Sequence, residues 1–287
     1  MIINSFDDKT PAKINPKYKD DRFKCDACIV TFSYIIQEYV LNKYNPEIIG
    51  NIYTVNGIIP IYKIIYNDKI FAFYKTILSA AASVDCLEDS TEVIDTDKYI
   101  VFGGSGCLNK EIARGKIMVP TEAYRDEGTS YHYVEADDYI KIKQSNAVAN
   151  FMDSKQLPYV LGKTWTTDSF YRETEGNFEK RKADGCISVE MECSALEAVC
   201  DFRNKKLYYF LSSGDLLDAP EWDKRIKNPD DYTGTQHDHR LFDIAIELAD
   251  YVSWFNWQSS SIMLIFCYSE RKINMKNTII LIRRRRY

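Results

Sequence analysis

Two glutamates stand two residues apart within an otherwise apolar run, GCISVEMECSALEAV, at residues 185–199. Charged carboxylates are almost never fully buried without partners, because desolvating an unpaired ion costs a large amount of free energy. Glu190 and Glu192 therefore either bind something or stay at the surface. In the second case they would be two surface glutamates at a helix N-terminus, where the helix dipole favours negative charge.

The segment around these glutamates reads as a strand that becomes a helix. Cys186–Met191 has the pattern of a short apolar strand, and apolar residues from Ala195 to Phe202 then recur at helical spacing. Residues two apart on a strand share a face, so Glu190 and Glu192 can converge on one ligand if both are extended. The ends of strands in α/β sheets are also where ligands bind.

Three further segments carry residues suited to chemistry. KYIVFGGSGC places a glycine turn, residues 103–106, after a strand, where backbone N–H groups can approach an anion. GKTWTTDSFYRET brings Phe170 and Tyr171 together in a loop; an aromatic face there can stack on a nucleobase, although most aromatic residues are core. YYFLSSGDLLDAP ends a strand just before Asp215, which is either a proton donor or a helix N-cap.

The elements that would position these residues alternate between short apolar strands and helical patterns. This alternation favours an α/β sheet with helices on its faces. No repeat or long linker interrupts it, so residues 25–252 are predicted to form one domain after an N-terminal arm at residues 1–24. Strands are predicted at residues 27–32, 70–74, 99–102, 116–120, 189–191 and 207–211, with a last helix through FDIAIELADYV.

The composition is ordinary for a globular protein. A net charge of -5 and a pI near 5.4 argue against nucleic acid as a partner, because neutralising phosphates needs concentrated Lys and Arg. No secretory signal is visible, and no stretch approaches the ~20 apolar residues that span a bilayer. A cytoplasmic protein without membrane contact is therefore expected, and its eight cysteines are expected to be reduced.

Two other features are assigned no chemistry. Cys25 and Cys28 form a CxxC pair, but no second pair follows at zinc-site spacing, so no metal site is predicted. From residue 253 the helical periodicity stops and the chain becomes basic, ending in RRRRY. Residues 253–287 are predicted to be an atypical, poorly ordered basic extension.

The order and spacing of FGGSG, AYRDEGTSYHY, TTDSFYRET, SVEMECSAL and the strand ending in SSGD resemble the nucleoside phosphorylase family. That family includes uridine phosphorylase and the hexameric purine nucleoside phosphorylases, and methylthioadenosine nucleosidases are its hydrolytic cousins. The resemblance runs from about Phe71 to Val252, and VEMECSAL is its most specific part. It implies an α/β fold, a three-layer α/β/α sandwich with a mixed, partly barrel-like central sheet. It also implies a homo-oligomer, a trimer or a hexamer, in which sites are completed across a dimer interface.

The same resemblance implies roles for the two glutamates. Glu192 would accept hydrogen bonds from both ribose hydroxyls, Met191 would pack under the sugar, and Glu190 would support the loop. An ionised carboxylate is a strong acceptor for a vicinal diol, each charge-assisted bond contributing roughly 1.5–3 kcal/mol. Ligand hydroxyls would then be the partners that the glutamate otherwise lacks.

The resemblance also implies which residues bind and protonate the base. Phe170, with Tyr171 beside it, would stack on the base or the sugar, and Asp215 matches the aspartate with which purine-cleaving members protonate the leaving base. Breaking the glycosidic bond builds positive charge on the ribose and negative charge on the base. Asp215 would act as the general acid and inorganic phosphate as the nucleophile, with no metal or organic cofactor.

The phosphate site departs from the family pattern. Thr31–Ser33 stands where a Gly-Asp turn followed by Arg is expected, Val101 replaces an arginine, and Gly104 replaces a threonine. Phosphate recognition usually relies on Arg or Lys. The remaining candidates for phosphate binding are Ser33, Ser105 and the backbone of Gly104.

Three functions remain open. The first is a nucleoside phosphorylase, purine preferred, that forms free base and ribose 1-phosphate. The second is a nucleosidase using water, for which Glu38 is the only candidate base, or a uridine phosphorylase-like member. The third is a non-catalytic nucleoside-binding protein. The presence of Asp215 and Glu192 favours catalysis.

Overall fold

The computed structural model describes residues 1–225 and 235–254, and only the backbone for 235–238. Strands and helices alternate along these residues, with short 3-10 turns at Ile2–Asn4, Ser130–His132 and Phe170–Arg172. The strands are β1 (Phe23–Lys24), β2 (Ala27–Thr31), β3 (Glu47–Thr54), β4 (Gly57–Tyr66), β5 (Lys69–Lys75), β6 (Ile94–Asp95), β7 (Lys98–Cys107), β8 (Ile117–Asp126), β9 (Tyr139–Lys141), β10 (Tyr159–Thr167), β11 (Cys186–Glu190) and β12 (Lys206–Leu216). The helices are α1 (Tyr34–Tyr44), α2 (Ala80–Val93), α3 (Ser145–Ser154), α4 (Glu175–Ala183), α5 (Cys193–Phe202) and α6 (Thr235–Ser253).

Ten strands form one mixed sheet in the order β11-β10-β8-β12-β7-β2-β5-β4-β3, with β9 added beside β8. Strand β11 also pairs antiparallel with β7, so β11, β10, β8, β12 and β7 close into a five-stranded barrel. The strands β2, β5, β4 and β3 continue outward from the barrel as an open sheet. The predicted α/β fold with a mixed, partly barrel-like sheet is confirmed.

Helices cover both faces of the sheet because the buried strands are apolar on both sides. All five residues of β2 are buried. Its alternation sends Cys28 and Val30 into a core shared with α2 and α5, whereas Ala27 and Ile29 join a core shared with α1, α3 and α6. Burying each large apolar side chain contributes about 1.5–3 kcal/mol, so the two cores hold the three layers together.

Two sequence predictions about strand ends are wrong. The glycines at 103–106 do not form a turn, because β7 continues through them to Cys107. Asp215 does not follow a strand end either, since β12 runs on to Leu216. Pairing between β7 and β12 extends both strands. Gly106 permits the close pairing of β7 with β11, because a Cβ there would lie 2.7 Å from Cγ1 of Val189.

Several other features bear on the sequence predictions. No helix in the described ranges is both long and apolar enough to span a membrane. The seven cysteines in those ranges are free thiols.

The N-terminal arm is tied to α2 by the backbone N–H of Lys17, which donates to Glu92 at 2.7 Å. The predicted basic extension lies outside the described residues from position 255 onward.

Candidate active site

The candidate site lies where β7, β11 and β12 meet. Val189 of β11 pairs with Gly106 of β7, and β12 pairs with β7 on its other side. Because β11 is antiparallel to β7, the residues that follow Val189 run back along β7 in the direction of Gly104. Oδ2 of Asp215 lies 3.7 Å from the position that a Cβ would occupy on Gly106. Asp215 and the segment that contains Glu190 and Glu192 therefore lie beside neighbouring parts of β7.

Glu190 is buried and fully engaged by the protein. Its Oε2 accepts the backbone N–H groups of Glu192 at 2.8 Å and Cys193 at 2.7 Å. Its Oε1 accepts the hydroxyl of Thr166 at 2.6 Å, and the hydroxyl of Tyr209 lies 3.2 Å from Oε2. Backbone N–H groups at a helix start lack partners within the helix, so this carboxylate supplies them for α5.

Glu192 does not share a strand face with Glu190, contrary to the sequence prediction. Strand β11 ends at Glu190, and Glu192 is the N-cap residue of α5, with φ -138° and ψ -27°. The side chain is nonetheless buried, and its Oε1 accepts the backbone N–H of Ser79 at 2.7 Å. Ser79 immediately precedes α2, so the two helix starts meet at this carboxylate. Met191, between the two glutamates, is half-buried.

Burial, followed by the negative charge of Glu190, raises the pKa of Glu192 to about 8. A carboxylate in this condition lacks enough donors and positive charge around it to stabilise its ionised form. Two hydroxyl donors from a ligand would provide part of that stabilisation. Burial also raises the pKa of Glu190, but the hydrogen bonds from Thr166, Tyr209 and the backbone of Glu192 and Cys193 oppose this effect.

Asp215 is half-buried near the end of β12. Its Oδ2 accepts the indole N–H of Trp222 at 2.7 Å. The Trp222 side chain is 60% exposed, so this hydrogen bond lies close to the surface.

Phe170 and Tyr171 form the 3-10 turn after β10, and their ring centroids are 4.0 Å apart. Phe170 is 46% exposed and Tyr171 is 86% exposed. Neither ring belongs to the cores of the sheet. The simpler interpretation of core aromatics is therefore wrong for this pair.

Charges at either end of this aromatic segment reach both candidate carboxylates. Asp168, two residues before Phe170, raises the pKa of Glu192 in addition to the larger effect of burial. Asp215 raises the pKa of Glu173, again in addition to burial.

The three residues suggested for phosphate binding differ in their surroundings. Gly104 is exposed, and nothing lies within 4 Å of the position of a Cβ there. The Ser105 hydroxyl is buried and has no hydrogen-bond partner among the described residues. Ser33 is the N-cap of α1, and its hydroxyl accepts the backbone N–H of Ile36 at 3.3 Å.

An apolar ring lies beside these residues. Cδ2 of Phe32 is 3.3 Å from the position of a Cβ on Gly103. Val101, which stands where the family has an arginine, is buried in the core. Glu38, the candidate base for a water molecule, is exposed on α1. No group of three His, Cys, Asp or Glu in the described ranges could hold a metal ion.

Three residues of this region were missed from the sequence. Ser79 is distant in sequence from Glu192, to which it donates, whereas Trp222 follows Asp215 by seven residues; no motif marks either donor. Glu173 stands in a segment of mixed polar residues, where nothing distinguishes it from Glu175. Only the burial pattern of the folded chain separates the two.

The chain was compared with protein families and curated proteins. A model described as the phosphorylase superfamily matches residues 57–233, more than half of the chain. A 5'-methylthioadenosine/S-adenosylhomocysteine nucleosidase of Buchnera aphidicola subsp. Acyrthosiphon pisum (strain Tuc7) is 30% identical over 132 residues, 42% of this chain and 57% of that protein. Protein R802 of Acanthamoeba polyphaga mimivirus is 30% identical over 129 residues, 44% of this chain and 50% of that protein. The chain thus spans little more than half the length of the curated relatives it matches.

Solved structures support the same fold. Uridine phosphorylase from Vibrio fischeri ES114 superposes with a TM-score of 0.66 at 18% identity, covering 85% of this chain and 98% of that one. AMP nucleosidase from Bacteroides thetaiotaomicron VPI-5482 gives a TM-score of 0.60 at 16% identity, covering 83% and 91%. From the match over residues 57–233 and the barrel that β11 closes, the chain belongs to the phosphorylase superfamily.

Proposed function

We propose that this chain cleaves the N-glycosidic bond of a nucleoside, preferably a purine nucleoside. Glu192 binds the ribose diol, and Asp215 protonates the leaving base. The observation that carries the proposal is the buried Glu192 carboxylate at the start of α5, placed on the strand system that also holds Asp215.

The ribose role of Glu192 is supported by the division of labour between the two glutamates. Protein groups donate to both oxygens of Glu190, whereas Oε1 of Glu192 accepts the backbone N–H of Ser79. Burial raises the pKa of both carboxyls. Hydroxyl groups of a sugar are suitable additional donors. Met191, half-buried beside Glu192, supplies an apolar surface for the sugar ring.

The acid role of Asp215 follows from the charge that develops on the base. As the glycosidic bond breaks, its electron pair moves into the base, and a proton on a ring nitrogen neutralises it. A positioned acid contributes typically 10²–10⁴-fold. The exposed faces of Phe170 and Tyr171 are available to stack on a planar base close to this acid.

Phosphorolysis is one candidate for the second half of the reaction. Gly104 offers an open backbone, and Ser105 offers a hydroxyl without a partner among the described residues. Phosphate would be a co-substrate in this reaction, and no other cofactor is needed. Among the described residues, however, no Arg or Lys side chain donates a hydrogen bond to Ser33, Gly104 or Ser105.

Hydrolysis is the second candidate, and the position of Phe32 favours it. An apolar ring against Gly103 removes water from an anion without replacing its hydrogen bonds, which costs free energy for phosphate. Water carries no charge to desolvate. Nucleosidases among the curated relatives and the solved structures agree with this alternative.

A homo-oligomer belongs to the same proposal. Apolar side chains at the β3–β4 hairpin and before α2 are exposed, among them Tyr53, Val55, Ile58 and Leu78. Contiguous exposed apolar side chains are typical of interfaces. Light scattering on the purified chain measures the assembly, and a monomer at micromolar concentration would contradict this part of the proposal.

Base release separates the functions. The purified protein is incubated with inosine, adenosine and uridine, each with and without inorganic phosphate, and free base and ribose 1-phosphate are quantified. Phosphate-dependent release identifies a phosphorylase, and release at the same rate without phosphate identifies a nucleosidase. Absence of release from all three nucleosides, with retained nucleoside binding, would contradict catalysis and support a binding protein.

A further inference from the structure

The N-cap residue of α5 does not cap its own helix. An N-cap side chain ordinarily accepts the backbone N–H of the second or third helical residue, the positions N2 and N3. Glu192 is the N-cap of α5, and its carbonyl accepts the first intrahelical bond from Leu196 at 2.9 Å. Its carboxylate makes no capping bond and accepts the N–H of Ser79 instead. The N–H groups at the start of α5 therefore need other acceptors.

Thr166 of β10 supplies one of these acceptors. With Glu192 as the N-cap, Ser194 is the N2 residue, and its backbone N–H donates to Oγ1 of Thr166 at 3.1 Å. The same hydroxyl donates to Oε1 of Glu190 at 2.6 Å. A hydroxyl can donate one hydrogen and accept another at the same time, so the two bonds are compatible. Thr166 and Ser194 are both 0% exposed, so the Ser194 N–H depends on this acceptor rather than on solvent.

The pairing of two strands places the hydroxyl at this point. Strand β10 runs parallel to β11, and Thr166 lies opposite Glu190. Paired residues carry their side chains on the same face of a sheet, so Thr166 reaches both the Glu190 carboxylate and the helix that follows β11. Phe170 comes four residues after Thr166, in the turn that follows β10. The strand that leads to the aromatic turn therefore also caps the helix that begins with Glu192.

Resting on the ribose role proposed for Glu192, we propose that Thr166 is a positioning residue that caps α5 in place of Glu192 and so keeps the Glu192 carboxylate available to the ribose diol. Thr166 contacts neither sugar nor base in this role. Without its hydroxyl, the buried N–H of Ser194 has no acceptor, and leaving such a donor unpaired is costly. The N-cap side chain is the group that ordinarily satisfies the N2 position, so the Glu192 carboxylate turns back onto its own helix and is lost to the sugar.

The test is the affinity of Thr166→Val for a nucleoside, because valine replaces the hydroxyl by a methyl group of similar size. The ligand is the C-nucleoside analogue of inosine, whose carbon–carbon glycosidic bond cannot be cleaved, and its 2'-deoxy form lacks the diol. By calorimetry, Kd for the ribose form should rise by about tenfold, and Kd for the 2'-deoxy form should change by less than about twofold. Thr166→Ser keeps the hydroxyl and should keep the wild-type preference for ribose.

Thr164→Val is the matched control. Thr164 lies two residues earlier on the same face of β10, is also 0% exposed, and has its Oγ1 3.4 Å from Oε1 of Glu190. Among the described residues its hydroxyl makes no hydrogen bond to α5. Thr164→Val should therefore leave the ratio of the two Kd values unchanged, even where it lowers stability.

A combined variant shows whether Thr166 acts through Glu192. Added to Glu192→Gln, Thr166→Val should increase Kd for the ribose form little further, because both changes act on one carboxylate. Losses that add in full would show that Thr166 affects binding by another route and would overturn the inference.

The outcomes also distinguish this inference from the function on which it rests. A folded Thr166→Val protein that keeps the wild-type ratio of Kd values overturns the role of Thr166 and leaves the proposed function intact. A wild type that binds the ribose and 2'-deoxy forms equally overturns the ribose role of Glu192 instead. Thermal unfolding shows whether each variant is folded. If Thr166→Val does not fold, Thr166→Ala removes the same hydroxyl and takes its place in the comparison.

Discussion

The carboxylate of Glu190 holds the backbone of Glu192 in place, with 2.8 Å between Oε2 and the Glu192 nitrogen. The first glutamate thus builds the helix start from which the second projects. Two residues of the same type, two positions apart, therefore have different tasks. One stabilises the fold, and the other is free to accept donors from a ligand.

Replacing Glu190 by Gln should mainly reduce stability. When the amide oxygen accepts the N–H groups of Glu192 and Cys193, the buried NH2 group faces the Thr166 hydroxyl, which donates to the wild-type carboxylate. We expect the free energy of unfolding in urea to fall by about 2–4 kcal/mol. A variant as stable as the wild type would show that α5 starts without this cap.

Replacing Glu192 by Gln should mainly reduce nucleoside affinity. The change removes one charge-assisted acceptor, so Kd for a ribonucleoside measured by calorimetry should rise by about 10- to 100-fold. Stability near pH 7 should change little, because the pKa of Glu192 is raised to about 8 and the buried carboxyl is mostly uncharged at that pH. The matched ligand is the 2'-deoxynucleoside, whose affinity should change less; an equal loss for both sugars would reject the diol contact.

Stability should decrease as the pH rises from about 5 to 8. Burial raises the pKa of Glu192 to about 8 and that of Glu197 to about 7, both above the ordinary glutamate value of 4.5. The unfolded chain therefore releases these protons at lower pH than the folded protein does. Between the two pKa values the free energy of unfolding falls as the pH rises, and the loss is complete above the folded pKa. Urea midpoints at each pH measure this loss, and Glu192→Gln and Glu197→Gln should each flatten it. A midpoint that rises across this window in the wild type and not in the variants would reverse the expected sign.

Replacing Asp215 by Asn should slow the release of a purine by about 10²-fold or more, because the general acid is lost. Nucleoside binding should change little. Asp218→Asn is the control. Asp218 stands three residues after Asp215, and its carboxylate pairs with Lys182 at 2.7 Å. An unaltered turnover number in Asp215→Asn would assign this side chain to the hydrogen bond with Trp222 alone.

Replacing Phe170 by Ala should raise KM for the nucleoside by about tenfold through loss of stacking. The melting temperature should change little because the ring is 46% exposed. Phe202→Ala, with a similar exposure of 41% at the end of α5, is the comparison. Equal KM values for both variants and the wild type would remove Phe170 from the base site.

Motifs in the sequence predicted much of the fold. The alternation of strands and helices predicted an α/β sheet, and the SVEMECSAL segment with its companions led to the family and its partly barrel-like sheet. Predictions of this kind depend on local apolar patterns, which the strand and helix periods impose directly. The strand at Cys186 was therefore located to within one residue of its end.

Relations between distant segments were decided only by the tertiary structure. The sequence placed a turn at Gly103–Gly106, but β11 and β12 pair on either side of these residues and extend the strand. Sequence patterns also could not show that Phe32 lies against Gly103, or that Ser79 donates to Glu192. Which polar groups are buried together depends on how sheet and helices close around them.

By itself, the sequence determined the residue types available for chemistry and the elements on which they stand. The tertiary structure decided which carboxylates accept many hydrogen bonds from the protein and which accept few. Glu190 and Glu192 are alike in the sequence, as are Glu173 and Glu175. They differ only after folding, because the free energy of a carboxylate is set by its neighbours and its distance from water.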